Sequence, residues 1–200
     1  MQDMRRSTCP RKRCVSVAPL AEIETDRLRL RPWREGDLDA YARMCADPEV
    51  MRYMPGVMTR EQAAEQIAWF VRHFEERGHC YWAVEDKASG AFVGRIGLTH
   101  QEDWPEGPHK TDVGWLLDRA YWGRGLATEG ARASLRHGFE ELGLERVIGI
   151  TLPDNLASRR VMEKLGMAYR GEARWKGFDL VWYAIDRREW RADRGQRTGS

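Results

Sequence analysis

Gly123 and Gly125 bracket Arg124 in the segment YWGRGLATEG (121–130), directly after an apolar stretch and directly before a helix-like one. A turn at that place presents several backbone N–H groups at a helix N-terminus. Those donors lack an intrahelical acceptor, and the helix dipole favours negative charge beside them. Glycine removes the Cβ atoms that would hold a ligand away, and Thr128 adds a hydroxyl. The segment suits a phosphate or pyrophosphate. It is neither of two familiar phosphate loops. Gly125 is followed by Leu126 where a Walker loop needs lysine, and Thr128 stands where the third glycine of a dinucleotide fingerprint belongs. The pair alone could equally make a tight turn. A second segment, LPDNLASRRVMEKLGM (152–167), puts Asn155 just off a strand end and Ser158 one helical turn later. Adjacent parallel strands would deliver both helix N-termini to one sheet edge, with room for a ligand between them.

The elements that must position these residues can be read from periodicity. RLRLR (27–31) alternates as a half-buried strand does, and Asp37 can cap a following helix bearing Leu38, Tyr41, Ala42 and Cys45. TREQ (59–62) is a capping-box pattern opening a helix with Ala63, Ile67, Phe70, Val71 and Phe74 on one face, and Gly78 is placed to end it. Strands at 80–86 and 91–100 read as a hairpin. A polar loop (101–110) leads to a strand at 111–118, then a helix from about Ala127 to Leu142, a strand at 146–152, a helix ending at Leu165, and a last strand at 179–185. The expected fold is a mixed α/β domain with a largely antiparallel sheet of about 6–7 strands flanked by about four helices. Only the strand–helix–strand unit at 113–152 implies parallel pairing.

The chain has 200 residues and a net charge of +2. Residues 1–21 hold Arg5, Arg6, Arg11, Lys12 and Arg13 against Asp3, and residues 191–200 hold Arg191, Arg194 and Arg197 against Asp193, so the body is acidic. We therefore expect one domain at 22–190 between a basic N-terminal tail (1–21) and a C-terminal tail (191–200), both disordered. Basic tails can touch nucleic acid or anionic lipid, but plain chain ends account for them equally well. Cys9, Cys14, Cys45 and Cys80 form no C-x-x-C, so neither a metal site nor a disulfide framework is expected. VSVAPLA (15–21) is too short and proline-interrupted for a signal-peptide core, and no run of 18 apolar residues exists. A cytoplasmic protein, not attached to membrane, is the expectation.

Three motifs in order, TDRLRLRPW (25–33), DVGWLLDRAYWGRGLATEG (112–130) and DNLASRRVMEKLGM (154–167), resemble the GNAT superfamily of acyl-CoA-dependent N-acetyltransferases, and within it the RimJ/RimL-like branch that acetylates ribosomal-protein N-termini. The resemblance spans about residues 24–187. It implies acetyl-CoA as cosubstrate, no metal, and direct transfer to a primary amine: a protein N-terminus first, otherwise a polyamine or aminoglycoside. It also implies that the backbone of Trp115, Leu116 and Leu117, at a strand bulge, holds the pantetheine and acetyl carbonyl. Gly123, Arg124, Gly125, Leu126, Ala127 and Thr128 would cradle the pyrophosphate, Asn155 would bond the cofactor arm, and Ser158 would lie near the thioester. The sequence departs from the pattern at three places. Trp122 stands where Gln or Arg often begins the loop, Met162 where many members carry a proton-donating Tyr, and Ile150 where some carry a glutamate base.

Transfer needs a base for the amine, a donor for the oxyanion and a proton for the thiolate. Ser158 is the candidate for the last, and Asp112, His100 and Glu102, at the ends of the central strands, are candidates for the first. The rival reading is a CoA-binding regulatory module without transfer, kept open by Met162 and Ile150. A homodimer is compatible with either. Eight tryptophans (33, 69, 82, 115, 122, 175, 182 and 190) are expected in the core. Trp104, in the loop with Glu102, Asp103 and Glu106, either lines a substrate site with an acidic rim or packs the loop down.

Overall fold

The alternation read at 27–31 is a strand because its apolar residues have a core to face. In the computed structural model, which describes residues 22–190, Leu28 and Leu30 are fully buried. The basic tails expected at 1–21 and 191–200 lie outside the described residues. The elements run β1 (Ile23–Glu24), β2 (Leu28–Arg31), α1 (Asp37–Cys45), α2 (Arg60–Arg77), β3 (Tyr81–Asp86), β4 (Phe92–His100), β5 (Thr111–Leu117), α3 (Leu126–Glu140), β6 (Arg146–Thr151), α4 (Leu156–Lys164), β7 (Ala168–Trp175) and β8 (Phe178–Asp186), with a 3-10 turn at Arg119–Tyr121. The described strands form one eight-stranded sheet in the order β1-β2-β3-β4-β5-β6-β8-β7. Every pairing is antiparallel except β5 with β6, as the strand–helix–strand unit required.

The two faces are covered by different helices. Arg95 lies against Phe70 of α2, while its neighbour Ile96 approaches Gly130 of α3, so α2 and α3 pack on opposite faces of β4. Trp33, Tyr41, Phe70 and Phe92 interlock under α1 and α2 with ring centroids 5.0–6.3 Å apart. On the α3 face, Met162 of α4 packs beside Gly149 of β6. A smaller cluster of Trp104, Ile148, Ala173, Leu180 and Ala184, with Trp175 and Trp182 against it, covers the sheet beyond α1 and α2.

Local signals set the helix ends. The Thr59 hydroxyl accepts from Gln62 N at 3.2 Å, and the Gln62 side chain accepts from Thr59 N at 2.8 Å, completing the capping box. Gly78 closes α2 in the left-handed conformation. Asp37 is not a cap. Gly36 holds that position, and Asp37 instead takes both terminal nitrogens of buried Arg31 at 2.8 Å. Arg31 Nε reaches Glu85 at 2.9 Å, so one guanidinium ties β2 to α1 and to β3. Two tryptophans expected inside are half-exposed, Trp69 at 41% and Trp122 at 47%. Trp104 is 1% exposed and stacks edge-on with Trp175 and Trp182, so it packs its loop down.

Candidate functional site

β5 and β6 are paired only at Asp112 and Ile148, and then diverge. β5 stays in unbroken register with β4 from Thr111 to Leu117, so no bulge against β4 opens the site. The divergence does this instead. It leaves the β6-facing main-chain edge of Gly114–Leu117 without a strand partner and opens a cleft of about 780 Å³. Trp115, Leu116, Leu117, Gly123, Gly125, Leu126, Ala127, Thr128, Asn155 and Ser158 all line that cleft, as does Asp112 at its apex. Two sequence motifs, 112–130 and 154–167, thus meet because parallel strands deliver both helix N-termini to one edge.

Gly123 and Gly125 adopt φ of +71° and +79°, a left-handed backbone that side chains with a Cβ strain to reach. No atom lies within 4 Å of where a Cβ would stand on Gly123, so that space is open to a ligand. No side chain caps α3; Glu129 N is bonded to Gly125 O at 3.1 Å, which leaves the N–H groups of Leu126, Ala127 and Thr128 as the orphan donors of the first turn. Arg124, expected in the cradle, is not among the cleft residues, and its contacts are to the scaffold. Its carbonyl accepts from Arg27 Nη1 at 2.9 Å, and its guanidinium lies over Tyr121 at 5.3 Å. Arg27 also grips Glu129 through Nε at 2.7 Å and Nη2 at 2.6 Å, while Glu129 accepts from Thr25 Oγ1 at 2.6 Å. These bonds hold the Glu129 carboxyl below its ordinary range against the opposing effect of burial. They turn its charge toward β2 and away from the open donors. Trp122, the departure from the usual loop, donates its indole N–H to Leu117 O at 2.8 Å, pinning the loop to the end of β5.

Across the cleft, Asn155 caps α4 by accepting from Ser158 N at 3.2 Å. Its oxygen is spent there, so its amide NH₂ is what it can offer a ligand. Met162 is 1% exposed and fills the space over Gly149, a packing role. Arg52, Arg160, Lys164 and Lys176 stand among the cleft residues with Glu49, a predominantly cationic rim suited to a polyanion.

The candidate bases separate. Asp112 is 7% exposed and its Oδ1 has no hydrogen-bond partner. Burial holds its carboxyl well above the ordinary carboxylate range, opposed by the Ile150 backbone N–H and by Arg95. His100 is not among the cleft residues. Its Nε2 sits 3.2 Å from Glu102, whose other contact is Arg77, and its backbone N–H donates to His73. Both fall at the far end of β4 because the loop at 101–110 folds back over the second hydrophobic cluster. None of the loop's carboxylates, Glu102, Asp103 and Glu106, is among the cleft residues, although Asp103 lies 3.6 Å from Lys176, which is. Sequence reading missed Tyr81 and Arg95, which line the floor beside Asp112. The available signal was a lone arginine in the otherwise uncharged run FVGRIGLT.

The acetyltransferase (GNAT) domain model matches residues 27–168. The chain belongs to the GNAT family of acetyltransferases. Its relatives include the uncharacterized N-acetyltransferase YnaD of Bacillus subtilis, 33% identical over 175 residues that cover 84% of this chain and 98% of YnaD. A GNAT-family acetyltransferase structure from Bacillus anthracis superposes with a TM-score of 0.71 at 29% identity, covering 84% of this chain and 99% of that one. RimL, a ribosomal L7/L12 alpha-N-protein acetyltransferase solved with coenzyme A, shares the fold at 18% identity, with a TM-score of 0.68 over 83% of this chain and 98% of RimL. The family membership makes this chain an acyltransferase. Among the described residues, no helix is long and apolar enough to cross a membrane.

Proposed function

We propose that this acetyltransferase binds acetyl-CoA across the β5–β6 divergence and moves its acetyl group directly to a primary amine, with Asp112 as the base. The observation that carries the reading is the shared cleft. It joins an open cradle of helix N–H donors at one end to a buried carboxyl at the other. Acetyl-CoA supplies an activated acyl thioester, and the rest is done by this chain. The first turn of α3 takes the pyrophosphate, and the unpaired edge of Gly114–Leu117 offers main-chain donors to the pantetheine and the developing oxyanion. Asp112 accepts a proton from the incoming ammonium, and its raised affinity for protons moves it toward a useful base. As the N–C bond forms and the C–S bond breaks, the thiolate leaves beside Ser158, which passes it a proton and regains one from the former amine nitrogen. The products are the amide, the free thiol and one proton released to solvent.

Direct transfer is favoured over an acyl-enzyme. Cys45 and Cys80, the cysteines within the described residues, are buried and do not line the cleft. Burial pushes the Cys80 thiol up to about 12. The motif resemblance puts a protein or peptide N-terminus first among acceptors, ahead of a polyamine or an aminoglycoside. The test is acetyl-CoA-dependent thiol release against peptides with Ala, Ser and Thr N-termini, spermidine and several aminoglycosides. Release with one class supports transfer and names the acceptor. Tight acetyl-CoA binding with no release in any arm would instead favour a CoA-binding module.

A further inference from the structure

Arg95 is the one charged residue of β4. It is 5% exposed, and it lines the cleft floor on the same face as Asp112. Its guanidinium carbon lies 4.0 Å from the Tyr81 ring centroid and 5.4 Å from that of Phe70, so aromatic faces support the group from below. That support leaves two of its three nitrogens unanswered. Nε and Nη1 are buried with no partner. Buried arginines elsewhere in this protein do not look like this: Arg31, equally buried, spends its nitrogens on two carboxylates. Burying a guanidinium without hydrogen bonds is costly.

The groups around Arg95 do not neutralise it. Burial pushes the Tyr41 and Tyr81 phenols and the Cys45 thiol up, away from their charged forms. Asp112 is the nearby acid in the cleft, and its own Oδ1 is also unpartnered, so these two opposite groups share a pocket without bonding to each other. A guanidinium is a planar fork that matches a carboxylate. An acceptor with an ammonium and a carboxylate close together would satisfy both ends at once. A second ammonium, as in a polyamine, would meet buried positive charge.

Building on the acetyltransferase reading, we propose that the acceptor is an amine bearing a carboxylate near its amino group. Arg95 receives the carboxylate and so sets specificity, while the ammonium faces Asp112. The carboxylate can come from a free amino acid or from an acidic side chain beside a peptide N-terminus.

The experiment compares matched pairs by thiol release: free amino acids with their primary amides, and peptides whose second residue is Asp with the same peptides carrying Asn. Arg95→Met and Arg95→Lys are run beside the wild type, with acetyl-CoA affinity measured by calorimetry to show that each variant is folded. In the wild type, the carboxylate member of at least one pair should lead by roughly tenfold or more in kcat/KM. Which pair shows it tells the free acid from the peptide. Arg95→Met should bring that ratio to near one and Arg95→Lys should retain part of it, a change in ratio that loss of packing would not produce. Equal rates within every wild-type pair, or an undiminished ratio in Arg95→Met, would overturn the proposal. If no acceptor turns over, binding of the N-acetyl acids and N-acetyl amides to the protein with CoA decides it separately from the chemistry. Preference for the acids that is lost in Arg95→Met supports the anchor, and equal or absent binding rejects it.

Discussion

Replacing Asp112 with asparagine should damage the reaction and strengthen the fold, and the two effects have one cause. Asp112 is 7% exposed with Oδ1 unpartnered, and burial holds its carboxyl well above the ordinary value of 3.8. Between 3.8 and that raised value, the folded protein keeps a proton that the unfolded chain has released. Folding is then penalised more as pH rises, with full stability below the window and the whole penalty present above it. Asparagine has the same shape and does not ionise, so it escapes the penalty. A buried polar group left unsatisfied costs about 1–3 kcal/mol, and a domain of this size shifts by about 2–4 °C per kcal/mol. The variant should therefore melt roughly 2–10 °C above wild type at about pH 9, with the gap closing as pH falls. Its transfer rate should drop by about 10²–10⁴, the usual contribution of a positioned base. Thermal melts across pH, paired with thiol-release kinetics, measure both. A rate within about threefold of wild type, or a melting difference that does not change with pH, would refute the reasoning.

Other substitutions probe the cradle, the floor and the scaffold. Gly125→Glu puts bulk and negative charge where phosphate is read to bind. Arg27 Nη2, 3.6 Å from the new Cβ, leaves room for it, and the left-handed backbone at φ +79° costs about 1–2 kcal/mol, a loss the domain should survive while acetyl-CoA affinity falls about 100-fold or more by calorimetry; unchanged affinity would place the pyrophosphate elsewhere. Gly114→Ala brings a Cβ to 2.5 Å from the Tyr81 hydroxyl, which must move. A cost of about 1–3 kcal/mol in denaturant melts is expected, together with a raised KM for the amine. Asp37→Ala takes one of its two carboxylates from buried Arg31, which keeps Glu85, and loss of about 1.5–3 kcal/mol should lower Tm by roughly 3–12 °C without changing the rate at low temperature. Arg27→Ala should change Tm little, because its side chain is 48% exposed and such pairs contribute about 0.2–1 kcal/mol, yet it should weaken acetyl-CoA binding by loosening the loop.

What was legible in the sequence was local. The capping box at Thr59, the left-handed stop at Gly78 and the glycine pair ahead of α3 each depend on residues a few positions apart, and each formed as read. Distance in sequence hid the rest. Asp37 has a capping side chain, but Arg31 claims it, and pattern rules hold no term for that competition. β7 alternates weakly because most of its residues are exposed at the sheet edge, so AYRGEARW did not stand out as a strand. The two-residue β1 is too short for any period. The positions expected to hold the cofactor came from motif resemblance, and all of them but Arg124 line one cleft, with strand divergence where a bulge was expected. Arg95 drew no reading from the sequence, because only the strand order makes β4 central and its side chain buried.

The bonds from Arg27 to Glu129 and to the Arg124 carbonyl also set an order of events. They close a loop about 100 residues long, and such long-range contacts form late because chain entropy must be surrendered first. During synthesis the β2 strand leaves the ribosome early and waits for most of the domain before its partner exists. A fragment ending before α3, or one beginning after Arg27, has no complete cradle however well its remaining helices form. The ability to hold acetyl-CoA should thus be among the last properties this chain acquires as it folds, and ligand binding would report on closure of the whole domain.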